Sequence, residues 1–187
     1  MNRIGMIWGR INEICTQTGK SPNPVYWHLF EVSQISSLLA LNRGENAELA
    51  AIAGLLHDIA KLQGFDLKPY NAQHGDSSEK HPAESADIAL KMLVELGITS
   101  AEENEIICNS IKKHGDKDNI DTPFDEILKD ADIFTRGPLF VSSKDSPDEI
   151  KSAYNYVNGN GVRSLRWDKM CQELGMINLR PVIERRK

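Results

Sequence analysis

The sequence predicts an all-α protein, a helical bundle in a single domain that spans residues 1–187. Apolar residues recur at intervals of three and four along most of the chain, which is the spacing of a helix with one buried face. No segment alternates between apolar and polar residues as a half-buried strand would. Hydrophobic residues make up 40% of the 187, so the chain can bury a core of its own.

The first three helices are predicted from apolar stripes and from the breaks between them. A stripe from Ile4 to Cys15 indicates the first helix, which ends before the segment GKSPNPVYW. The second helix closes at Gly44, because glycine commonly follows the last turn of a helix. The third is expected over residues 47–62. Residues 64–80 then indicate a long irregular loop, and a loop of that length is usually functional.

The later helices are predicted mainly from their caps. Pro82 lies in the first turn of HPAESADIALKMLVELG, where its missing N–H costs nothing. The next helix is expected to begin at Thr99 or Ser100 and to end at Gly115, and another covers residues 124–135. Two C-terminal helices follow, one that begins at a capping box formed by Ser146 and Glu149 and one over residues 163–174.

Composition excludes several classes of function. The formal net charge is −5, which argues against nucleic acid as the main partner. The three cysteines form no CxxC motif, so neither a disulfide framework nor a zinc knuckle is indicated. We find no signal peptide and no apolar run of the ~20 residues that span a bilayer. We therefore expect a cytoplasmic protein without a membrane partner, and its oligomeric state stays open.

Histidine and aspartate side chains fall on the apolar faces of several predicted helices. A buried ionisable group needs a partner, because an unpaired buried charge costs several kcal/mol. Imidazole and carboxylate together form the ligand mixture that suits zinc, iron or manganese. The sequence therefore predicts a site for one or two divalent transition-metal ions. Its candidate ligands are His28, His57, Asp58, His81, His114 and Asp132.

The ordered motifs of this set match a known family. His28, the HD pair in LLHDIAK and Asp132 in KDADIF resemble the HD superfamily of metal-dependent phosphohydrolases, over about residues 20–140. The resemblance implies an HD-type helical domain in which His28, His57, Asp58 and Asp132 bind a first metal. HPAESA and KKH resemble the additional histidines of two-metal members, which implies that His81 and His114 bind a second metal with Asp58 as the bridge.

The resemblance also implies a chemistry. Two ions about 3.5–4 Å apart can activate water as hydroxide for in-line attack on a phosphoester or phosphoanhydride. HDIAKL and HPAESA are most similar to small bacterial hydrolases of nucleotides or dinucleoside polyphosphates, so a phosphorylated small molecule, a nucleotide, is the expected substrate. Asp58 and Lys61 are the expected catalytic residues. Lys61 shares the face of His57 and Asp58, and it and Arg136 are expected to contact the substrate phosphate.

Two other functions fit the same residues. A di-iron oxygenase of the HD fold would use the same six ligands, and a non-catalytic module would bind a nucleotide as a signal. Residues 141–187 match nothing in the family. Their aromatic residues, Tyr154, Tyr156 and Trp167, could stack on a base or pack between helices.

Overall fold

A computed structural model describes residues 2–17, 24–62, 81–135 and 161–176. Every regular element in these ranges is a helix, which confirms the all-α prediction. The helices are α1 (Arg3–Gln17), α2 (Pro24–Arg43), α3 (Ala47–Leu56), α4 (Ile59–Leu62), α5 (His81–Leu96), α6 (Ala101–Lys113), α7 (Pro123–Thr135) and α8 (Gly161–Glu173). Within these ranges, none of the helices combines the length and the apolar character that crossing a membrane requires.

Helix α3 lies at the centre of the core, and α2 packs most closely against it. Its sequence AELAAIAGLL is apolar on all sides, and the helix is buried from Leu49 onward, as expected for a helix surrounded by others. The two helices approach each other closely at Gly54. A Cβ atom at this position would lie 2.6 Å from the Cα of Ser33. Only glycine therefore permits this crossing, which brings the start of α2 near the end of α3.

The third helix was predicted to run without a break over residues 47–62, and this prediction is wrong. Helix α3 ends at Leu56, and α4 begins at Ile59. The imidazole Nδ1 of His57 lies 2.8 Å from the carbonyl oxygen of Gly54. In a continuous helix this oxygen would accept a hydrogen bond from the backbone N–H of Asp58. Side chain and backbone thus compete for one acceptor, and the chain turns at the HD pair.

Helix α6 illustrates how the caps set the ends of the elements. Ser100 caps it in a reciprocal capping box with Glu103, which decides between the two predicted caps. The same helix ends with His114 as its C-cap, one residue before the predicted glycine. Helix α5 begins at His81, as predicted. Both histidines therefore lie at helix ends.

The C-terminal helix α8 packs into the same core. Trp167 has no exposed surface, and its ring stacks on Phe134 of α7 with the ring centroids 4.9 Å apart. Of the two uses considered for this tryptophan, packing between helices is therefore the correct one. The loop at residues 64–80, the capping box of Ser146 and Glu149, and Tyr154, Tyr156 and Arg136 lie outside the described residues.

Candidate metal centre

The six predicted ligand side chains meet in one cluster. Their donor atoms form three groups of three residues. Within each group, one donor atom from each residue lies within 4.8 Å of the other two. Each group shares at least one residue with another, so the three form one continuous set. The groups are His28, His57 and Asp58; His57, His114 and Asp132; and Asp58, His81 and His114.

Five separate segments place these side chains, each close to a helix end. His28 is the fifth residue of α2, and the HD pair forms the break between α3 and α4. His81 opens α5, and His114 closes α6. Asp132 lies in the last turn of α7. The predicted ligands are thus spread over 105 positions of the chain and are brought together only by tertiary packing.

The first half of the cluster joins α2, the HD pair and α7. The Nε2 atom of His28 lies 3.0 Å from Oδ1 of Asp132 and 3.3 Å from Nε2 of His57. The Nε2 atom of His57 lies 3.5 Å from Oδ2 of Asp58. The Nε2 atom of His28 thus lies within 3.9 Å of donor atoms of His57, Asp58 and Asp132.

The second half joins the HD pair to α5 and α6. The Nε2 atoms of His81 and His114 lie 3.3 Å apart, and they lie 3.2 Å and 3.5 Å from Oδ1 of Asp58. The other oxygen of Asp58, Oδ2, faces His28 and His57. Asp58 therefore turns one oxygen toward each histidine pair, which is the arrangement that a bridging carboxylate needs.

Hydrogen bonds to backbone carbonyls orient the imidazole rings of His57 and His114. The Nδ1 atoms of His57 and His114 lie 2.8 Å and 2.7 Å from the carbonyl oxygens of Gly54 and Ile111. A carbonyl only accepts, so Nδ1 carries the proton in the neutral ring and Nε2 carries the lone pair. Metal-binding histidines are commonly oriented in this way. In both rings the lone pair is directed into the cluster.

The spacing of the nitrogens fits a bound cation. Two nitrogens held by one tetrahedral ion at about 2.0–2.1 Å lie roughly 3.3–3.4 Å apart. Both pairs of Nε2 atoms, His28 with His57 and His81 with His114, lie 3.3 Å apart. Neutral imidazoles with facing lone pairs repel each other unless a proton or a metal ion lies between them. The donor set therefore could hold one or two divalent ions.

The electrostatics of the cluster favour the protonation states that bind metal. Burial lowers the pKa of His114 to about 4, and the charge of Lys117 acts in the same direction. Burial alone would raise the pKa of Asp58, but the neighbouring His57, His114 and His81 and the charge of Lys61 outweigh it and hold that pKa well below its usual range. Near neutral pH, Asp58 is a carboxylate and His114 a neutral imidazole.

One side of the cluster is open to solvent. The side chain of His28 is 14% exposed, while the other five candidate ligands are exposed by 5% or less. Lys61 lies at this edge, with its Nζ atom 2.8 Å from Oδ2 of Asp58 and its side chain 21% exposed. Lys61 thus places an ammonium group beside the exposed edge of the cluster.

Two residues that contact the cluster were not predicted from the sequence. Lys117 is buried, and its Nζ lies 2.7 Å from Oδ2 of Asp132. It lies in a connection between helices, so no apolar stripe marks it; its place three residues after His114 was the one available signal. Thr135, three residues after Asp132, places its hydroxyl 3.3 Å from Nδ1 of His28.

Comparison with known proteins gives a family match over this region. The model of the HD domain matches residues 25–137, which is more than half of the chain and includes all six candidate ligands. No solved structure gives a significant match.

Several curated relatives carry the name Ribonuclease Y. That of Fervidobacterium nodosum is 30% identical over 139 residues, which cover 70% of this chain and 23% of that protein. That of Listeria welshimeri is 34% identical over 87 residues, 46% of this chain and 13% of that protein. That of Nitratidesulfovibrio vulgaris is 28% identical over 139 residues, 64% of this chain and 27% of that protein. The chain thus spans about a quarter or less of the length of these relatives.

Proposed function

The chain belongs to the HD domain family of metal-dependent hydrolases, and we propose that it cleaves a phosphoester or phosphoanhydride bond of a nucleotide. One observation carries this proposal: Asp58 turns Oδ1 toward His81 and His114 and Oδ2 toward His28 and His57. A carboxylate shared in this way allows two cations to lie side by side. Paired ions are a common device for phosphoryl transfer.

In this proposal His28, His57, Asp58 and Asp132 hold a first ion, and His81 and His114 hold a second ion with Asp58. Four imidazoles and two carboxylates suit iron, manganese or zinc. When bound, such ions supply Lewis acidity, which lowers the pKa of water toward neutrality and stabilises negative charge on phosphoryl oxygens. Five of the six candidate ligands are exposed by 5% or less, and this burial strengthens each electrostatic contact.

Lys61 is the residue proposed to receive the substrate. Its Nζ atom contacts Asp58 at the solvent-facing edge of the cluster, so its charge lies where a phosphate would arrive. It can donate a hydrogen bond to a non-bridging phosphoryl oxygen while Asp58 stays in the cluster. Arg136, proposed as a second phosphate contact, follows Asp132 by four residues in the sequence.

Replacing Lys61 by alanine tests this role. We expect kcat/KM to fall roughly 10- to 100-fold, because a charge-assisted hydrogen bond to the phosphate is lost. Metal content should stay at the level of the unmodified protein, since Lys61 is not a proposed ligand. Steady-state kinetics and elemental analysis give the two values. Lys91→Ala, at an exposed position of α5, is the matched control. Unchanged kinetics for Lys61→Ala would remove this lysine from the site.

The function itself is tested with protein purified without a metal-binding tag. Metal is quantified by elemental analysis, then removed with a chelator and restored as Mn²⁺, and a panel of nucleotides is assayed for released phosphate. We expect hydrolysis that disappears on chelation, returns with Mn²⁺ and needs no O₂. A requirement for O₂ would favour the oxygenase, and metal-loaded protein that leaves every nucleotide intact would favour the binding module.

A phosphodiester in RNA is the second candidate substrate. It is suggested by the relatives named Ribonuclease Y, one of which matches 70% of this chain. The net charge of −5 argues against it, because binding of a polyanion normally needs basic residues. A short single-stranded RNA in the same panel decides between the two. Cleavage of the RNA without release of phosphate from mononucleotides would replace the nucleotide proposal.

A further inference from the structure

We propose that Lys117 is a positioning residue that orients Asp132 so that Oδ1 faces the cluster, and that its charge weakens the hold on a cation; this inference rests on the metal site proposed above. Lys117 is only 4% exposed, and its Nζ donates to Oδ2 of Asp132 at 2.7 Å and to the carbonyl oxygen of His114. The other oxygen of Asp132, Oδ1, faces His28 at 3.0 Å. The two oxygens are thus divided between a lysine and the cluster.

The position of Lys117 links both halves of the cluster. It contacts the side chain of Asp132 in the first half and the backbone of His114 in the second. A buried ammonium group beside the donor set also reduces the net negative charge that the set offers to a cation. Lys117 therefore affects how strongly a metal ion is held, as well as how Asp132 is oriented.

Helix α8, which lies beyond the HD domain match, holds the backbone of Lys117 in place. The Nε atom of Arg166 donates to the carbonyl oxygen of Lys117 at 3.1 Å. The same guanidinium group forms ion pairs with Asp130 at 2.7 Å and with Glu126 at 2.6 Å on α7. Arg166 thus fastens the connection between α6 and α7 to the helix that carries Asp132.

A second buried lysine provides a matched comparison. Lys129 has no exposed surface and donates to the carbonyl oxygen of Asn119 at 2.8 Å and to Asp121 at 2.6 Å. Like Lys117, it pairs with one backbone carbonyl, but it has two carboxylate partners, Asp121 and Glu126. Its carboxylate partners lie outside the metal-ligand groups. If burial of a lysine were all that mattered, both would respond alike to replacement.

Replacing Lys117 by methionine should tighten metal binding. The donor set then loses a buried positive charge next to Asp132, so its carboxylate attracts a cation more strongly. We expect the apoprotein to bind Mn²⁺ about tenfold more tightly, because the repulsion between the buried ammonium group and the cation is removed. A residue with a merely structural role would, when removed, loosen the site and weaken binding.

The test is calorimetric titration of the chelator-treated 187-residue chain with MnCl₂. We expect tighter binding for Lys117→Met and an unchanged Kd for Lys129→Met. In the Asp132→Asn background, Lys117→Met should give a smaller gain, because part of the proposed effect acts through Asp132. If Lys117→Met aggregates without metal, Lys117→Gln replaces it, and a smaller gain is expected because its amide can still donate to Oδ2.

The outcomes separate this inference from the proposed function. Mn²⁺ binding by the unmodified protein, together with unchanged or weaker binding by the Lys117 variant, overturns the positioning role and leaves the metal site standing. A gain that is equally large in the Asp132→Asn background also overturns it. Failure of the unmodified protein to bind Mn²⁺ at all removes both the proposed function and this inference.

Discussion

Asp58→Asn should lower hydrolysis by roughly 10³-fold and reduce the metal content of the purified protein. Asparagine keeps the shape of the side chain but removes the charge that both histidine pairs face. The amide nitrogen would also direct hydrogens toward one of the two pairs, where a cation is proposed to lie. Because one carboxylate serves both halves of the cluster, its loss should affect both ions. Elemental analysis and initial rates provide the measurements.

A control separates this effect from a general loss of structure. Asp87→Asn changes an exposed aspartate on α5 and should keep full activity and metal content. Thermal unfolding followed by circular dichroism checks that both variants are folded. If Asp58→Asn bound as much metal as the unmodified protein and kept its kcat, the bridging role of Asp58 would be lost.

Gly54→Ala should destabilise the fold by about 3 kcal/mol. The added Cβ would lie 2.6 Å from the Cα and 2.7 Å from the backbone nitrogen of Ser33, and backbone atoms cannot rotate away as a side chain can. Helices α2 and α3 would have to separate. Urea denaturation measures the free energy of unfolding, with an unchanged m value showing that the change is one of stability.

The same substitution should weaken the metal site. Helix α2 carries His28, and the carbonyl oxygen of Gly54 holds the ring of His57. Separation of the helices would therefore pull apart the Nε2 atoms of His28 and His57, which now lie 3.3 Å apart.

Gly9→Ala is the matched control, since a Cβ at this exposed helical position meets nothing within 4 Å. It should stabilise the protein by about 0.5–1 kcal/mol. Equal stability of the two variants would contradict the close crossing.

The helical fold and the clustering of six polar residues could be predicted because both follow from periodicity. A histidine or aspartate on an apolar stripe must point into the core, and the core has room for few separate polar clusters. His81 illustrates this: its place in line with the apolar residues of α5 predicted an inward side chain, and it is 3% exposed.

The helix break at the HD pair and the contacts around the cluster could not be predicted, because helical periodicity does not reveal them. The break at His57 arises from one hydrogen bond between its ring and the carbonyl oxygen of Gly54. Lys117 reaches the cluster from a connection between helices, and Arg166 reaches its backbone from 49 residues away. Neither contact follows from helical spacing, because each depends on how separate helices are arranged in space.

The most direct test of the metal centre is a crystal structure of the Mn²⁺-loaded protein with anomalous diffraction data collected near the manganese edge. We expect one strong anomalous peak with His28, His57, Asp58 and Asp132 as ligands, and a second about 3.5–4 Å away that shares Asp58 and is bound by His81 and His114. Anomalous peaks that lie elsewhere, or an ordered cluster that binds no manganese, would contradict the proposed centre.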